Sequence, residues 1–203
     1  MSAYPVTLEG TATSALVVGG GRVATRRVLG LLQAGARVRV VALATTPELD
    51  AAATRTDHLA IRRGAYRSSD IGDSTLVIAA TDDSTLNAEV ARDARARGRL
   101  VNVVDVPELG NYTTPAVLRS GELVVSVNAG GVPVAAKRIR DAIGARFDAR
   151  YASAIDALAS LRRKLMESGE KQRWTEASAE LIGEDFCEQV ETATLARRVA
   201  EWR

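Results

Sequence analysis

The chain has 203 residues, 46% hydrophobic and 26% charged, a globular composition that excludes disorder and collagen-like or proline-rich chains. Its 27 Lys+Arg against 25 Asp+Glu leave a net charge of +2, too balanced for the basic face of a nucleic-acid binder. One cysteine, Cys187, and one histidine, His58, exclude an internal disulfide and count against a Cys/His metal site or a serine–histidine triad.

In chain order, the apolar run Ser14–Val18 predicts a buried strand ending in Gly19-Gly20-Gly21. Residues 23–34 place apolar side chains at 24, 28, 31 and 32, a helical stripe closed by Gly35. A strand over 38–43 follows, then a helix opened by Thr46-Pro47-Glu48, whose threonine caps and whose proline fits the first turn. A short strand over 59–62 and a polar loop through Asp73 lead to a buried strand over 76–79. A helix over 86–97 ended by Gly98 and a strand over 100–104 complete the series. This alternation predicts an α/β fold, a Rossmann-like doubly wound parallel sheet. After Pro107 the pattern changes: strands over 116–119 and 122–127 flank a turn at Ser120-Gly121, and from Val134 on only helices broken near Gly169 and Gly183 are expected. The predicted organisation is a dinucleotide-binding domain over 1–111, a small strand-rich segment over 112–147 and a helical region over 148–203. No apolar run approaches the ~20 residues that span a bilayer, and Met1–Pro5 lacks a basic-then-apolar signal pattern. The expectation is a cytoplasmic protein without membrane or nucleic-acid partners.

The strongest local signal is Gly19-Gly20-Gly21-Arg22-Val23-Ala24, which fits G-x-G-x-x-G/A. Glycines there let the backbone turn tightly and approach a pyrophosphate, whose charge sits on the helix N-terminus. A bare match is weak, but this one follows a strand and opens a helix, the context the mechanism requires. The acid that would bind the ribose hydroxyls is missing: the second strand ends Val41-Ala42-Leu43-Ala44, so backbone groups around Leu43 and Ala44 are expected to contact the ribose. No arginine stands there for a 2′-phosphate, and the choice of NAD or NADP stays open. The fourth strand ends in Thr81-Asp82-Asp83, with Thr81 expected near the cofactor and one aspartate capping the next helix. The fifth ends in Val104-Asp105-Val106-Pro107, and Asp105 reads equally well as a proton-accepting carboxylate or as an Asx-turn former. His58 is expected in a solvated loop, and Cys187, Trp174, Phe186 and Trp202 in helix packing.

Val17-Val18-Gly19-Gly20-Gly21-Arg22-Val23-Ala24, Ala79-Ala80-Thr81-Asp82-Asp83, Val101-Asn102-Val103-Val104-Asp105, Thr114-Pro115-Ala116 and Gly130-Gly131-Val132-Pro133 occur in that order. In this combination the chain resembles the precorrin-2 dehydrogenase family, also found as the N-terminal module of siroheme synthase. The resemblance covers nearly the whole chain, including Gly169–Trp174 in the helical region. It implies an NAD-dependent oxidation of precorrin-2 to sirohydrochlorin in siroheme biosynthesis; some members also insert ferrous iron into the product. It further implies a homodimer with the strand-rich segment swapped between subunits and a tetrapyrrole substrate. It assigns Asp105 as the catalytic residue, and Gly19, Gly21, Arg22, Val23, Leu43, Ala44 and Thr81 to the cofactor. Asn111, Asn128, Gly130 and Gly131 are assigned to the substrate, and no protein-held metal is expected. Here the loop reads Gly-Gly-Val-Pro after Asn128-Ala129, one residue shorter than the usual Gly-Gly-x-Ser-Pro. Arg119, Lys137, Arg138 and Arg140 would suit a polycarboxylate macrocycle, although each alone reads better as part of a solvated face. The competing reading is a non-catalytic NAD-sensing Rossmann module, with a methyltransferase third; Asp105 together with the downstream Gly-Gly-x-Pro segment favours the enzyme.

Overall fold

The structure, a computed structural model, describes residues 4–202, so the reading of Met1–Pro5 falls partly outside it. The chain divides after Thr114 into two compact units. The first runs β1 (Ser14–Val18), α1 (Arg22–Gln33), β2 (Arg37–Ala42), α2 (Pro47–Ala53), β3 (Leu59–Arg63), β4 (Leu76–Ala79), α3 (Ser84–Ala96) and β5 (Leu100–Val103). Its strands form one parallel sheet in the order β3-β2-β1-β4-β5. The chain moves outward from β1 to β3 and then crosses back to β4, so the strand order reverses between β1 and β4. In open parallel sheets that reversal leaves a crevice at the carboxyl ends of the strands.

The inner strands are largely apolar because helices cover both faces, with Arg37 and Arg39 confined to the amino-terminal half of β2. Leu16, Val18, Val77, Ala79, Val101 and Val103 pack on one face with Val90, Ala91 and Ala94 of α3. Val17, Val38, Val40 and Ile78 alternate onto the other, against Ala24 and Val28 of α1 and Leu49 and Ala52 of α2. Thr46 caps α2 by accepting a hydrogen bond from the Leu49 N–H at 3.2 Å.

The second unit opens with the hairpin β6 (Ala116–Ser120) and β7 (Leu123–Val127) and continues through α4 (Pro133–Arg146), α5 (Ala149–Glu167), α6 (Lys171–Leu181), α7 (Phe186–Glu191) and α8 (Leu195–Glu201). Tyr151, Leu158, Leu161 and Leu165 form the buried stripe of α5, packed with Ala177, Leu181, Val190, Leu195 and Val199; Trp174, Phe186, Cys187 and Trp202 lean on this core. The hairpin packs closely on α4: a Cβ on Gly144 would lie 3.1 Å from Leu118.

Most element ends fall within one or two residues of the sequence expectation, and three differences have a clear physical cause. β2 stops at Ala42, and Leu43 turns outward at 79% exposure because the chain must bend there toward α2. The hairpin turn is Gly121-Glu122, since Ser120 pairs with Leu123 and Gly121 takes φ +56°. The helical region breaks at Phe147-Asp148 with no glycine; the Asp148 carboxylate caps α5 by accepting from the Arg150 N–H at 2.9 Å.

Two buried phenols make the fold sensitive to alkali. Burial pushes Tyr151 up to about 12, assisted by hydrogen bonds with Cys187 and Glu191. Burial also pushes Tyr112 up to about 12, against the opposing charge of Arg27. Both folded values lie above the ordinary 10.0, so the fold favours the neutral phenols. Their contribution is complete below about pH 10 and lost as the pH rises through about 12. Melting temperature is expected to fall steeply across that window, and a constant value through it would contradict the account.

Candidate functional site

The site is built where β1 ends. Gly19 takes φ +119°, and a Cβ on it would stand 2.2 Å from the Ala80 carbonyl oxygen after β4. A Cβ on Gly20 would stand 2.0 Å from the Ala44 carbonyl oxygen after β2. These two glycines therefore let three strand ends converge. Gly21 differs: its backbone is extended, and a Cβ there would meet nothing within 4 Å. It is the N-cap of α1, with no side-chain cap and no acidic residue in the first turn. The Thr25 N–H, donating to Gly21 O at 2.9 Å, is the first of α1 to be satisfied within the helix. The amides of Arg22, Val23 and Ala24, at the positive end of the helix, have no hydrogen-bond partner among the described residues, an arrangement suited to an anion.

The loop after β2 is tied to this cradle. Thr46 N–H donates to Gly20 O at 3.1 Å, and the hydroxyls of Thr25 and Thr46 lie 2.8 Å apart. Leu43 and Ala44 are exposed beside it. At the end of β4, Thr81 does not present a free hydroxyl. It donates to Asn87 Oδ1 at 2.8 Å, and Asn87 also accepts from Thr81 N–H and donates to Thr81 O. Asp83, rather than Asp82, caps α3, accepting from Thr85 and Leu86 N–H at 2.8 and 3.1 Å.

Thr25 and Asn87 are fixing residues that the sequence reading missed. Both are buried polar side chains, at 2% exposure each. A polar residue on the buried face of an otherwise apolar helical stripe was the available signal.

Asp105 follows β5 on the same carboxyl edge, where Val104 N–H bonds Ala79 O at 3.1 Å. Its side chain is exposed and, among the described residues, has no partner. The turn after it closes through Leu109 N–H to Val106 O at 3.1 Å rather than through an Asx-turn. His58 lies exposed at the opposite edge, where its carbonyl receives the Val38 N–H at the start of β2. Asn111 is engaged by the edge of β5: it accepts from Val101 N–H at 2.7 Å and donates to Arg99 O at 3.0 Å.

In the second unit, Asn128 Oδ1 accepts from Gly130 N–H at 3.1 Å, and Gly130 and Gly131 take φ +57° and +89° with open space around both. Pro133 opens α4 directly after them. Arg119, Lys137 and Arg138 are exposed, while Arg140 pairs with its neighbour Asp141. No helix among the described residues is long and apolar enough to cross a membrane, and no cluster of potential metal ligands occurs among them.

Residues 6–116 match the family described as "Putative NAD(P)-binding". A siroheme synthase of Pseudomonas entomophila is 44% identical over 154 residues, 75% of this chain and 32% of that protein. A siroheme synthase of Methylobacillus flagellatus is 35% identical over 201 residues, 95% of this chain and 42% of that protein. The chain thus spans about a third to two-fifths of the length of these relatives. Among solved structures, SirC, a precorrin-2 dehydrogenase, superposes with a TM-score of 0.79 at 27% identity, covering 98% of this chain and 100% of that one. The cradle at Gly21, wide open above free helix amides, fits the pyrophosphate of a nicotinamide dinucleotide. The matched family agrees with that geometry, and the chain belongs to the NAD(P)-binding family, with siroheme synthases and SirC among the proteins it is similar to.

Proposed function

We propose that this protein oxidises precorrin-2 to sirohydrochlorin with NAD as the acceptor. The observation that carries the reading is an open dinucleotide cradle at Gly21 sharing one sheet edge with the unpaired carboxylate of Asp105. The bound nicotinamide supplies a hydride acceptor. The reaction then removes one hydride and one proton from the macrocycle, giving sirohydrochlorin, NADH and a released proton. Asp105 accepts that proton on a carboxylate oxygen and returns it to solvent, to which it is exposed. The amides of Arg22 and Val23 hold the pyrophosphate, Gly21 gives it room, Gly19 shapes the cofactor loop by admitting the Ala80 carbonyl beside it, and Leu43 and Ala44 offer backbone groups to the ribose. Thr81, fixed by Asn87, shapes the wall at the end of β4. Substrate contacts are assigned to Asn128, Gly130 and Gly131, whose loop leaves backbone groups uncovered. Asn111 contributes by fixing the chain that leaves β5. Offering the purified chain precorrin-2 with NAD tests the reading: turnover supports it, and tight NAD binding without turnover would make the chain a sensor.

The same reading includes a homodimer joined through residues 112–147 and a cytoplasmic location. The outer face of the hairpin exposes Val117 and Val124, at 36% and 44%, and α4 exposes Val134 and Ile139, at 80% and 48%. A two-stranded hairpin is marginal alone in water, and its open edges invite pairing. Sedimentation at micromolar concentration is expected to give a dimer; a monomer would contradict this.

A further inference from the structure

The sequence offers no acid at the end of β2 and no arginine nearby, yet the fold brings both there from other elements. Arg63, the last residue of β3, stands opposite Ala42, the last residue of β2. Its Nη2 donates to Asp50 Oδ1 of α2 at 2.7 Å and to Thr45 Oγ1 at 3.2 Å. Thr45 in turn donates to the same Asp50 oxygen at 2.7 Å. Thr45 lies between Ala44, whose carbonyl presses on Gly20, and Thr46, whose N–H bonds Gly20 O. The three-residue cluster is therefore the immediate neighbour of the glycine loop, on the side where an adenosine ribose rests at the end of the second strand.

We propose that the Asp50–Arg63 ion pair beside Thr45 sets the cofactor choice, admitting a 2′-hydroxyl and resisting a 2′-phosphate. The inference rests on the dinucleotide reading of the glycine loop. A 2′-phosphate carries close to two negative charges near neutral pH. To use Arg63 it must displace Asp50 and then sit against that carboxylate. A hydroxyl needs neither step and can bond Thr45 or Asp50. The guanidinium, once freed, is the fork that suits phosphate.

Dissociation constants of NAD and NADP, measured at fixed ionic strength for the wild type, Asp50→Asn, Arg63→Gln and the double variant, test this. Asp50→Asn keeps an oxygen for Thr45 but removes the charge. The wild type is expected to prefer NAD, and Asp50→Asn to move the NADP-to-NAD affinity ratio toward NADP by roughly tenfold or more. Arg63→Gln is expected to move the ratio the other way, and the double variant to cancel most of the Asp50→Asn gain. An unchanged ratio in folded Asp50→Asn, or a gain that persists without Arg63, would overturn the assignment. A wild type that binds neither dinucleotide would overturn the reading of the glycine loop itself, and this inference with it.

Discussion

Asp105→Asn is expected to lower the turnover of precorrin-2 by roughly 10²–10⁴-fold while NAD affinity stays near the wild-type value. Asparagine keeps the shape and an acceptor oxygen but cannot take a proton. Few other groups could replace the carboxylate. His58 sits at the opposite edge of the sheet, and Asp83 is held by the first amides of α3. The exposed Asp105 side chain has no partner among the described residues, so its loss should not disturb the fold. The effect should fall on kcat more than on KM, because proton removal belongs to the transition state. A folded Asp105→Asn enzyme working at close to the normal rate would remove the residue from the mechanism.

Gly21→Asp is expected to weaken NAD binding by roughly 10²-fold or more, through lost amide contacts and direct repulsion of the pyrophosphate. The same change should leave the protein at least as stable. A Cβ at Gly21 meets nothing within 4 Å, its φ of −78° suits any residue, and aspartate is a favoured N-cap for a helix that has none. Gly20→Ala should behave in the opposite way, because its Cβ would stand 2.0 Å from a backbone oxygen and the loop after β2 would have to move. Titration with NAD alongside thermal melting separates the two. A Gly21→Asp protein with wild-type affinity would reduce the glycine loop to a turn.

The parallel sheet was legible because its strands are short apolar runs punctuated by glycine, and β1 and β4 fall where the runs predict. Gly19 and Gly21 were legible as a pair but not as different jobs. Only the packing separates Gly19, which admits the Ala80 carbonyl, from Gly21, which leaves room for a ligand. The Arg63–Asp50 pair was invisible from the sequence. Its members are 13 residues apart, one on α2 and one at the end of β3, and meet only when those two elements pack side by side. The break before α5 was also missed, since an aspartate cap carries less signal in a sequence than a glycine does.

The most direct measurement is anaerobic mixing of precorrin-2, NAD and the protein, with sirohydrochlorin and NADH followed by absorbance in the same cell. The account predicts that both appear together, in equal amounts, and only when protein and NAD are both present. NAD bound at the glycine loop with no sirohydrochlorin formed, or sirohydrochlorin formed without NADH, would contradict it.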